Sequence, residues 1–575
     1  MLKAPWLKFY DNVPAKLDYP DISMYDFVER TAKRYPNIIA YEFLGTEATY
    51  TELIEEIHEC AKALKTLGIN EEERVTICLP NIPQAIIIFY AVNMIGAVAN
   101  MIHPLSSEKE IEFYLNDSSS VAAITLDVFY QKFANVVDNT SLKYLIITSV
   151  KDKLNPVKSI GYTVTKGWKV KKIPPDADII RWKDFLYNGR NYHKEYKLEK
   201  KGNDPAVTLY SGGTTGSPKS ILLSNLNFNA LSMQTAAMGD CVVVGHAMLA
   251  VLPIFHGFGL GVCIHTMLTN GCKCILVPAF SSKTFPQLLK KNRPHYIAGV
   301  PTLFEALLRS KKMKGVDLSS LEGVFCGGDS LSIELKKKVD AFLRDHGANV
   351  QIREGYGTTE CVTASCLTPK NYYKEGSVGI PFPDTYYKIV KPHTHEEVEY
   401  GEEGEICICG PTVMLGYVGD PKETAHALQV HPDGHKWLHT GDLGVMDEDG
   451  FIYFRQRLKR VIISSGYSIY PSQLENVIDS HEAVLMSTVI GVDDPYKVQK
   501  VKAFIVLKPN ISPTEEVKES IKKHCEKHIA KYAMPYEFEF RESLPTTLVG
   551  KVAYTILEEE EREKARKKKN VEKEQ

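Results

Sequence analysis

Short apolar strands alternating with helical segments constrain this chain more than any other feature of its sequence. Arg74–Leu79, RVTICL, reads as a buried strand closed by Pro80 and Asn81. A helix follows from about Pro83 to Ile95, and Gly96 stops it. VAAIT at 121–125 and YLIITS at 144–149 repeat the strand signal, with helical segments between them. Residues 48–68 read as a helix that Thr51 caps and Gly68 ends, with Leu53, Ile57, Ala61 and Leu64 on one apolar face. Strands joined by helices run parallel with the helices packed on the sheet faces, so the class is α/β. The alternation resumes between 241 and 350, where VVVGHAMLAVLP, CKCILVP, HYIAGVP and LEGVFCGG are strands and PTLFEALLRS is a helix. From about 385 to 455, YYKIVK, GEICICG and GFIYFRQ are short strands linked by Gly, Pro and Asp turns, a small mostly-β module. Beyond Gln456 the strand, helix, strand and helix signals describe a compact α+β unit, joined through RQRLKR.

The chain has 575 residues, a formal net charge of −2 and 44% hydrophobic residues. At roughly 150 residues per domain that implies three or four structural units. The apolar fraction excludes extensive disorder, and the neutral balance excludes a globally basic nucleic-acid binder. The twelve cysteines include no CxxC. Cys272/Cys274 and Cys407/Cys409 each fall on one face of a strand. Four converging ligands for zinc cannot be assembled, so reduced buried thiols in a cytoplasmic protein are expected. The opening MLKAPWLKFYDNVP carries no secretory signal. The apolar stretch from Ala247 to Phe280 is broken by Pro253, His256, His265, Asn270 and Lys273, so it reads as strand, loop and helix rather than a membrane span. Residues 151–201 carry 14 Lys/Arg against 6 Asp/Glu, with Trp168 and Trp182. Two readings compete there: a solvated, irregular insertion, or a surface that meets an acidic partner or makes a weak contact with anionic lipid at the inner face of the membrane. No clean amphipathic helix supports the second. The end, EEEEREKARKKKNVEKEQ, places Glu558/Arg562, Glu560/Lys564 and Glu563/Lys567 at i,i+4, a charged tail or solvated helix.

The chemistry-bearing signal is LYSGGTTGSPKSILLSN, 209–225. A strand, Ala206–Tyr210, leads into Ser211, Gly212, Gly213, Thr214, Thr215, Gly216, Ser217, Pro218 and Lys219. Glycines let backbone N–H groups approach phosphate oxygens, hydroxyls add donors and the lysine neutralises charge. Pro218 precedes Lys219, where a Walker A loop requires glycine, so a P-loop NTPase is disfavoured.

This loop resembles the signature of the adenylate-forming, AMP-binding superfamily: acyl-CoA synthetases, peptide-synthetase adenylation domains and luciferases. PIFHGFGL (253–260), CGGDSL (326–331), EGYGTTE (354–360), WLHTGDLG (437–444), RQRLKR (455–460), SGYSIYPSQLE (465–475) and LPTTLVGK (544–551) follow in the family's order over nearly the whole chain. PWLKFY…VPAKLDYP and LNDSS (115–119) look closest to bacterial long-chain fatty-acid–CoA ligases. The resemblance implies a large N-terminal domain, 1–456, of two α/β subdomains and a β module. A mobile α+β domain, 457–557, and a charged tail, 558–575, would follow. It implies ATP, Mg2+ and coenzyme A, with a carboxylic acid as the other small-molecule substrate. An acyl adenylate forms with release of pyrophosphate, then a thiol takes the acyl group and AMP leaves.

Residue by residue, the resemblance gives Ser211, Gly212, Gly213, Thr214, Thr215, Gly216 and Lys219 to the β- and γ-phosphates. Tyr356 would stack on adenine, with Gly355 and Gly357 bending the backbone to expose it, and Gly327 and Gly328 would lie beside the base. Thr359 would bind the α-phosphate and Glu360 the magnesium ion; Asp442 would accept the ribose hydroxyls and Arg457 lie on the ribose and phosphate side. Lys459 falls at the hinge. Lys551 would bridge carboxylate and α-phosphate, and leave when the small domain rotates to bring 465–470 to the thiol tunnel. His256 would lie near the acyl carboxylate, in a wall formed by Phe255–Gly261, Val300–Thr302 and Cys326–Gly328 and continuing past Thr358.

Four positions depart from the family pattern: Ser220 for Gly, Gln456 for Asp, Val498-Gln499 for Gly-Glu, and VAYTIL after Lys551 where arginines are common. The preferred reading is an acyl-CoA synthetase for a medium- to long-chain fatty acid. The alternatives are an enzyme that loads an acyl, aryl or amino acid onto a carrier protein, with Asp240 open as an ammonium partner, and an inactive AMP-binding paralogue. Oligomeric state stays open at this level.

Overall fold

The computed structural model describes residues 2–155, 158–159, 161, 173–211, 218–281, 283–460, 462–464, 467–494, 496–531, 533–547 and 550–574. Their strands form four sheets. One has eight strands with Arg74–Cys78, Val98–Met101, Ala122–Leu126 and Tyr144–Thr148 parallel at its centre. A second has nine strands, built on Ala247–Ala250, Lys273–Leu276, Tyr296–Gly299, Gly323–Cys326 and Ile352–Tyr356. The early hairpin of Ile39–Phe43 and Thr46–Thr49 joins this second sheet, beside Lys273–Leu276. The two α/β subdomains are therefore interleaved rather than successive. The helix Pro83–Met94 is buried on every side, which suits its near-continuous apolar sequence.

Two local expectations need correction. The helix Tyr50–Thr66 is capped by Thr49, not Thr51. Thr49 accepts from Glu52 N while Glu52 reaches back to Thr49 N, a reciprocal box, and Thr51 instead donates to Pro36 O. The strand expected across VVVGHAMLAVLP is confined to Ala247–Ala250. Val243 and Val244 are exposed in a turn, where Val243 N donates to the Tyr296 hydroxyl at 2.9 Å.

The β module pairs Tyr386–Val390, Glu403–Cys409, Lys436–Met446, Leu428–Val430 and Ile452–Arg457, all antiparallel. Trp6, from the N-terminal segment, is buried against it, close under Gly450 (φ +85°). The small domain sets Ile462–Ser464, Tyr467–Ile469, Val484–Asp494, Val498–Leu507 and Glu537–Phe540 in a sheet with its own core of Ile478, Val489, Ile505, Ile521 and Phe538. The charged end does not begin as a free tail. The helix Tyr554–Glu574 buries Leu557, and its acids face inward partners: Glu561 pairs with Lys502 at 3.0 Å and Glu560 with Arg541 at 2.7 Å. Lys564 pairs with Glu561 rather than with Glu560.

Much of the described part of the basic 151–201 stretch is folded onto the large domain. Lys153 pairs with Glu56, Lys197 with Asp26 and Lys200 with Glu71, and Trp182 is buried beside Phe185. Trp168 lies outside the described residues. No helix among the described residues is long and apolar enough to cross a membrane.

Val498, one of the departures from the family pattern, opens its strand at φ +71°. A β-branched residue takes that conformation only at a cost of about 1–2 kcal/mol, and its exposed side chain has little packing to offset it. Val498→Gly is expected to stabilise the small domain by about 1 kcal/mol after glycine's own entropy loss. The check is the urea midpoint at unchanged slope; a lower midpoint would mean that the valine side chain holds this hairpin.

Candidate functional site

The site lies where the nine-stranded sheet, the β module and the small domain meet. Tyr356 ends the strand Ile352–Tyr356. Arg353 steadies that strand by donating to the carbonyls of Met238, Gly239 and Thr368. The Tyr356 hydroxyl donates to Asp442 Oδ2 at 2.7 Å, and its ring lies 5.7 Å from that of Phe454. The flanking glycines have a different reason from the one expected. Tyr356 is buried, and a Cβ on Gly357 would stand 2.4 Å from Thr363 O, so close backbone approach excludes a side chain there.

Asp442 faces Arg457 across the antiparallel pair, with Arg457 Nε 3.6 Å from Oδ1. Burial pushes its carboxyl up, while Arg457 and the Tyr356 hydroxyl pull it back. The turn before it is held by Glu405, whose carboxylate accepts from Gly441 N at 3.0 Å.

Thr359 and Glu360 sit in the single turn Thr359–Cys361. Glu360 Oε1 accepts from the Tyr417 hydroxyl at 2.9 Å, and its carbonyl accepts from Met414 N. Lys219 lies over the same Tyr417 ring, 5.0 Å from its centroid, and pairs with Glu423. Tyr417 thus joins Lys219 to the Glu360 turn. The sequence reading missed it, because a tyrosine in LGYVGD carries no spacing signal. Ser211 N donates to Lys219 O and closes the base of the loop between the antiparallel strands Pro205–Tyr210 and Ser220–Ser224. A strand rather than a helix follows the loop, which agrees with the exclusion of a Walker A site. Gly212, Gly213, Thr214, Thr215, Gly216 and Ser217 lie outside the described residues.

Gly327 and Gly328 follow the strand Gly323–Cys326, and Gly328 turns at φ +82°. Lys551 lies on this turn: a Cβ on Gly328 would stand 3.4 Å from Lys551 Cε. Two bonds fix the lysine loop. Thr302 Oγ1 donates to Gly550 O at 2.5 Å, and Val552 N donates to Asp329 Oδ2 at 3.1 Å. Burial holds the Lys551 ammonium below the usual lysine range, opposed by Asp329 and, more weakly, by Asp442 and Glu360. Lys551, Asp329, Glu360, Asp442 and Arg457 therefore share one electrostatic neighbourhood. Thr302 and Asp329 were also missed as latch residues.

His256 Nδ1 accepts from Phe258 N at 3.2 Å. Burial and the charge of Lys551 hold its ring far below the ordinary histidine pKa. The imidazole is neutral throughout the working range and supplies no acid limb. His256→Gln is expected to leave the shape of the activity profile between pH 5 and 8 unchanged even where it lowers the rate; loss of an inflection near pH 6–7 in the variant would contradict this.

The remaining positions divide. Lys459 lies in the turn Leu458–Arg460, and its side chain lies outside the described residues, as do residues 465–466 of the SGYSIY segment. Arg460, next to it, anchors the small domain by donating to Glu475 Oε1 at 2.6 Å. Gln456 is buried with neither amide atom hydrogen-bonded. Ser220 pairs with Asp117. Asp240 ends the helix Asn225–Gly239 at the surface and pairs with Lys370 at 3.1 Å, so it does not face the site.

Comparison with known proteins agrees with this arrangement. Residues 28–418 match the AMP-binding enzyme family, and 473–551 match the AMP-binding enzyme C-terminal domain. A long-chain-fatty-acid–CoA ligase of Bacillus subtilis is 34% identical over 98% of this chain and 99% of its own. One from Salmonella typhimurium is 32% identical over 98% and 99%. Among solved structures, an anthranilate CoA ligase in complex with anthranoyl-AMP superposes with a TM-score of 0.81 at 24% identity, covering 97% of this chain and 99% of that one. ATP-bound MatB from Rhodopseudomonas palustris superposes at 0.79 with 22% identity, covering 93% and 98%; at these identities the likeness shows the fold. The matched families, the near full-length relatives and the shared fold place this chain in the AMP-binding, adenylate-forming enzyme family, among its acyl-CoA ligases.

Proposed function

We propose that the protein activates a medium- to long-chain fatty acid with ATP and transfers the acyl group to coenzyme A. The observation that carries this reading is the placement of Lys551 on the Gly328 turn, latched through Thr302 and Asp329. A carboxylate attacking an α-phosphate brings two anions together, so the barrier falls by positioning and charge neutralisation. A mobile ammonium delivered to that place suits the first half-reaction.

In this reading Asp442 takes the ribose hydroxyls, Arg457 and Lys219 meet phosphate, and Thr359 binds the α-phosphate. Phosphate binding would draw Lys219 from Glu423. The oxygen donors of Glu360 and Thr359 fit Mg2+, a hard cation that phosphate oxygens and water would complete, and the ion would neutralise phosphate charge there. Two points support a hydrocarbon substrate. The wall segments Phe255–Gly261, Val300–Thr302 and Cys326–Gly328 contain no formally charged residue other than a histidine that stays neutral. The near full-length relatives are named for long-chain fatty acids. Each buried CH₂ contributes about 0.8 kcal/mol, so chain length is selected by the depth of that wall.

The test is pyrophosphate release from ATP and Mg2+ across a panel of carboxylic acids, with and without coenzyme A. Release confined to fatty acids and stimulated by coenzyme A supports the proposal. Release for fatty acids with no gain from coenzyme A would shift the acceptor to a carrier-protein thiol. Release for aryl acids alone would overturn the substrate class.

A further inference from the structure

Three histidines gather on the β module, outside the adenylate site. His395 lies between the strands Tyr386–Val390 and Glu403–Cys409, His431 follows Leu428–Val430, and His439 lies within Lys436–Met446. One ring nitrogen from each falls within 4.8 Å of the other two. The His395 and His431 rings stack with centroids 4.2 Å apart, and His431 Nε2 stands 2.9 Å from His439 Nε2.

The protonation of His439 follows from its neighbour. Glu405 Oε2 lies 3.0 Å from His439 Nδ1, so Nδ1 carries the hydrogen and donates it. That leaves His439 Nε2 as the acceptor that faces His431. His431 is 2% exposed, and its Nδ1 has no hydrogen-bond partner. With His439 Nε2 accepting, the 2.9 Å contact puts the hydrogen on His431 Nε2, and His431 turns to its other tautomer, with the hydrogen on the unpartnered Nδ1, to present Nε2 to an ion. Lys388, on the strand Tyr386–Val390, is held by Asp433 at 2.7 Å.

We propose that His395, His431 and His439 form a site for a divalent transition-metal ion such as Zn2+, with Glu405 orienting His439 from behind. Three imidazoles select borderline metals over Mg2+ or Ca2+. A histidine whose far N–H is held by a carboxylate is the usual support of a bound zinc. Zinc–nitrogen bonds of about 2.0–2.1 Å put neighbouring ligand atoms roughly 3.3 Å apart in a tetrahedron, so the 2.9 Å pair need open by only a few tenths of an ångström. His395 is exposed, which leaves a route for the ion and a fourth position for water or the Gln429 amide, 2.7 Å from His395 Nε2.

The test is titration of the chelator-stripped full-length protein with Zn2+ against a chromophoric indicator, and with Co2+ followed by visible absorption. The expected result is one equivalent bound by the wild type, with the intense visible bands of a four-coordinate cobalt site. His395→Ala should weaken that site by at least about 10-fold, and its exposed position keeps the fold intact. Glu405→Gln should weaken it by about 10–100-fold, the usual cost of losing such a support. Wild-type and His395→Ala proteins that bind equally would overturn the proposal, because the chain's other histidines would then hold the metal. Absence of any equivalent tighter than a His395→Ala/His439→Gln protein would overturn it as well.

Discussion

Replacing Lys551 with alanine is expected to slow acyl-adenylate formation by about 10²–10³-fold, the usual loss when one preorganised charge-stabilising donor is removed. The side chain lies on the Gly328 turn, among Asp329, Asp442, Glu360 and Arg457. Its removal leaves the loop's two latching bonds, because neither uses the lysine side chain. The defect should therefore fall on the first chemical step rather than on docking. Single-turnover pyrophosphate release would read that step, and thioester formation from a supplied acyl adenylate would read the second. The second should change by less than about 3-fold, since the reading has Lys551 depart before it. Equal losses in both steps would place Lys551 in a structural role. The pH dependence has a definite sign. The lysine acts protonated, and burial lowers its pKa. Adenylation should therefore decline on the alkaline side at a lower pH than an exposed lysine would give.

Asp442→Asn is expected to raise the KM for ATP by about 10–100-fold. The substitution preserves size but removes the charge that faces Arg457 and leaves one acceptor oxygen, which the Tyr356 hydroxyl and the ribose must then share. A hydrogen bond to a charged group contributes about 1.5–3 kcal/mol, which sets that range. Specificity separates the proposed ribose contact from a packing defect. The wild type should bind AMP more tightly than 2′,3′-dideoxy-AMP, and Asp442→Asn should bind both with similar affinity. A variant that weakens both equally while keeping the preference would remove Asp442 from the ribose.

The sequence made the loops of the site legible because their glycines have no conformational substitute. Gly328 turns at positive φ, and Gly357 stands against Thr363 O. Strand and helix positions in the large domain were also readable, since buried strands such as Arg74–Cys78 are continuous apolar runs. The errors have local causes. Thr49 and Thr51 are both plausible caps, and only the reach of Glu52 decides between them. Val242–Val244 carry a strand's composition but precede the pairing, which begins at Ala247. Contacts between distant segments were not legible. Tyr417, Thr302 and Asp329 act by meeting groups far along the chain, and the three histidines come from two loops and a strand with no motif spacing.

The lysine latch reads main chain on the small-domain side. Thr302 meets the Gly550 carbonyl, and Asp329 meets the Val552 N–H. The residue types after Lys551 are therefore free to drift, which accounts for VAYTIL in place of the arginines of other members without loss of closure. The recognition burden sits on the large domain. A small domain transplanted from a relative should dock here provided its loop keeps the positive-φ turn of Gly550. The interface behaves as a modular socket, in which inheritance of the two halves need not be coupled residue by residue.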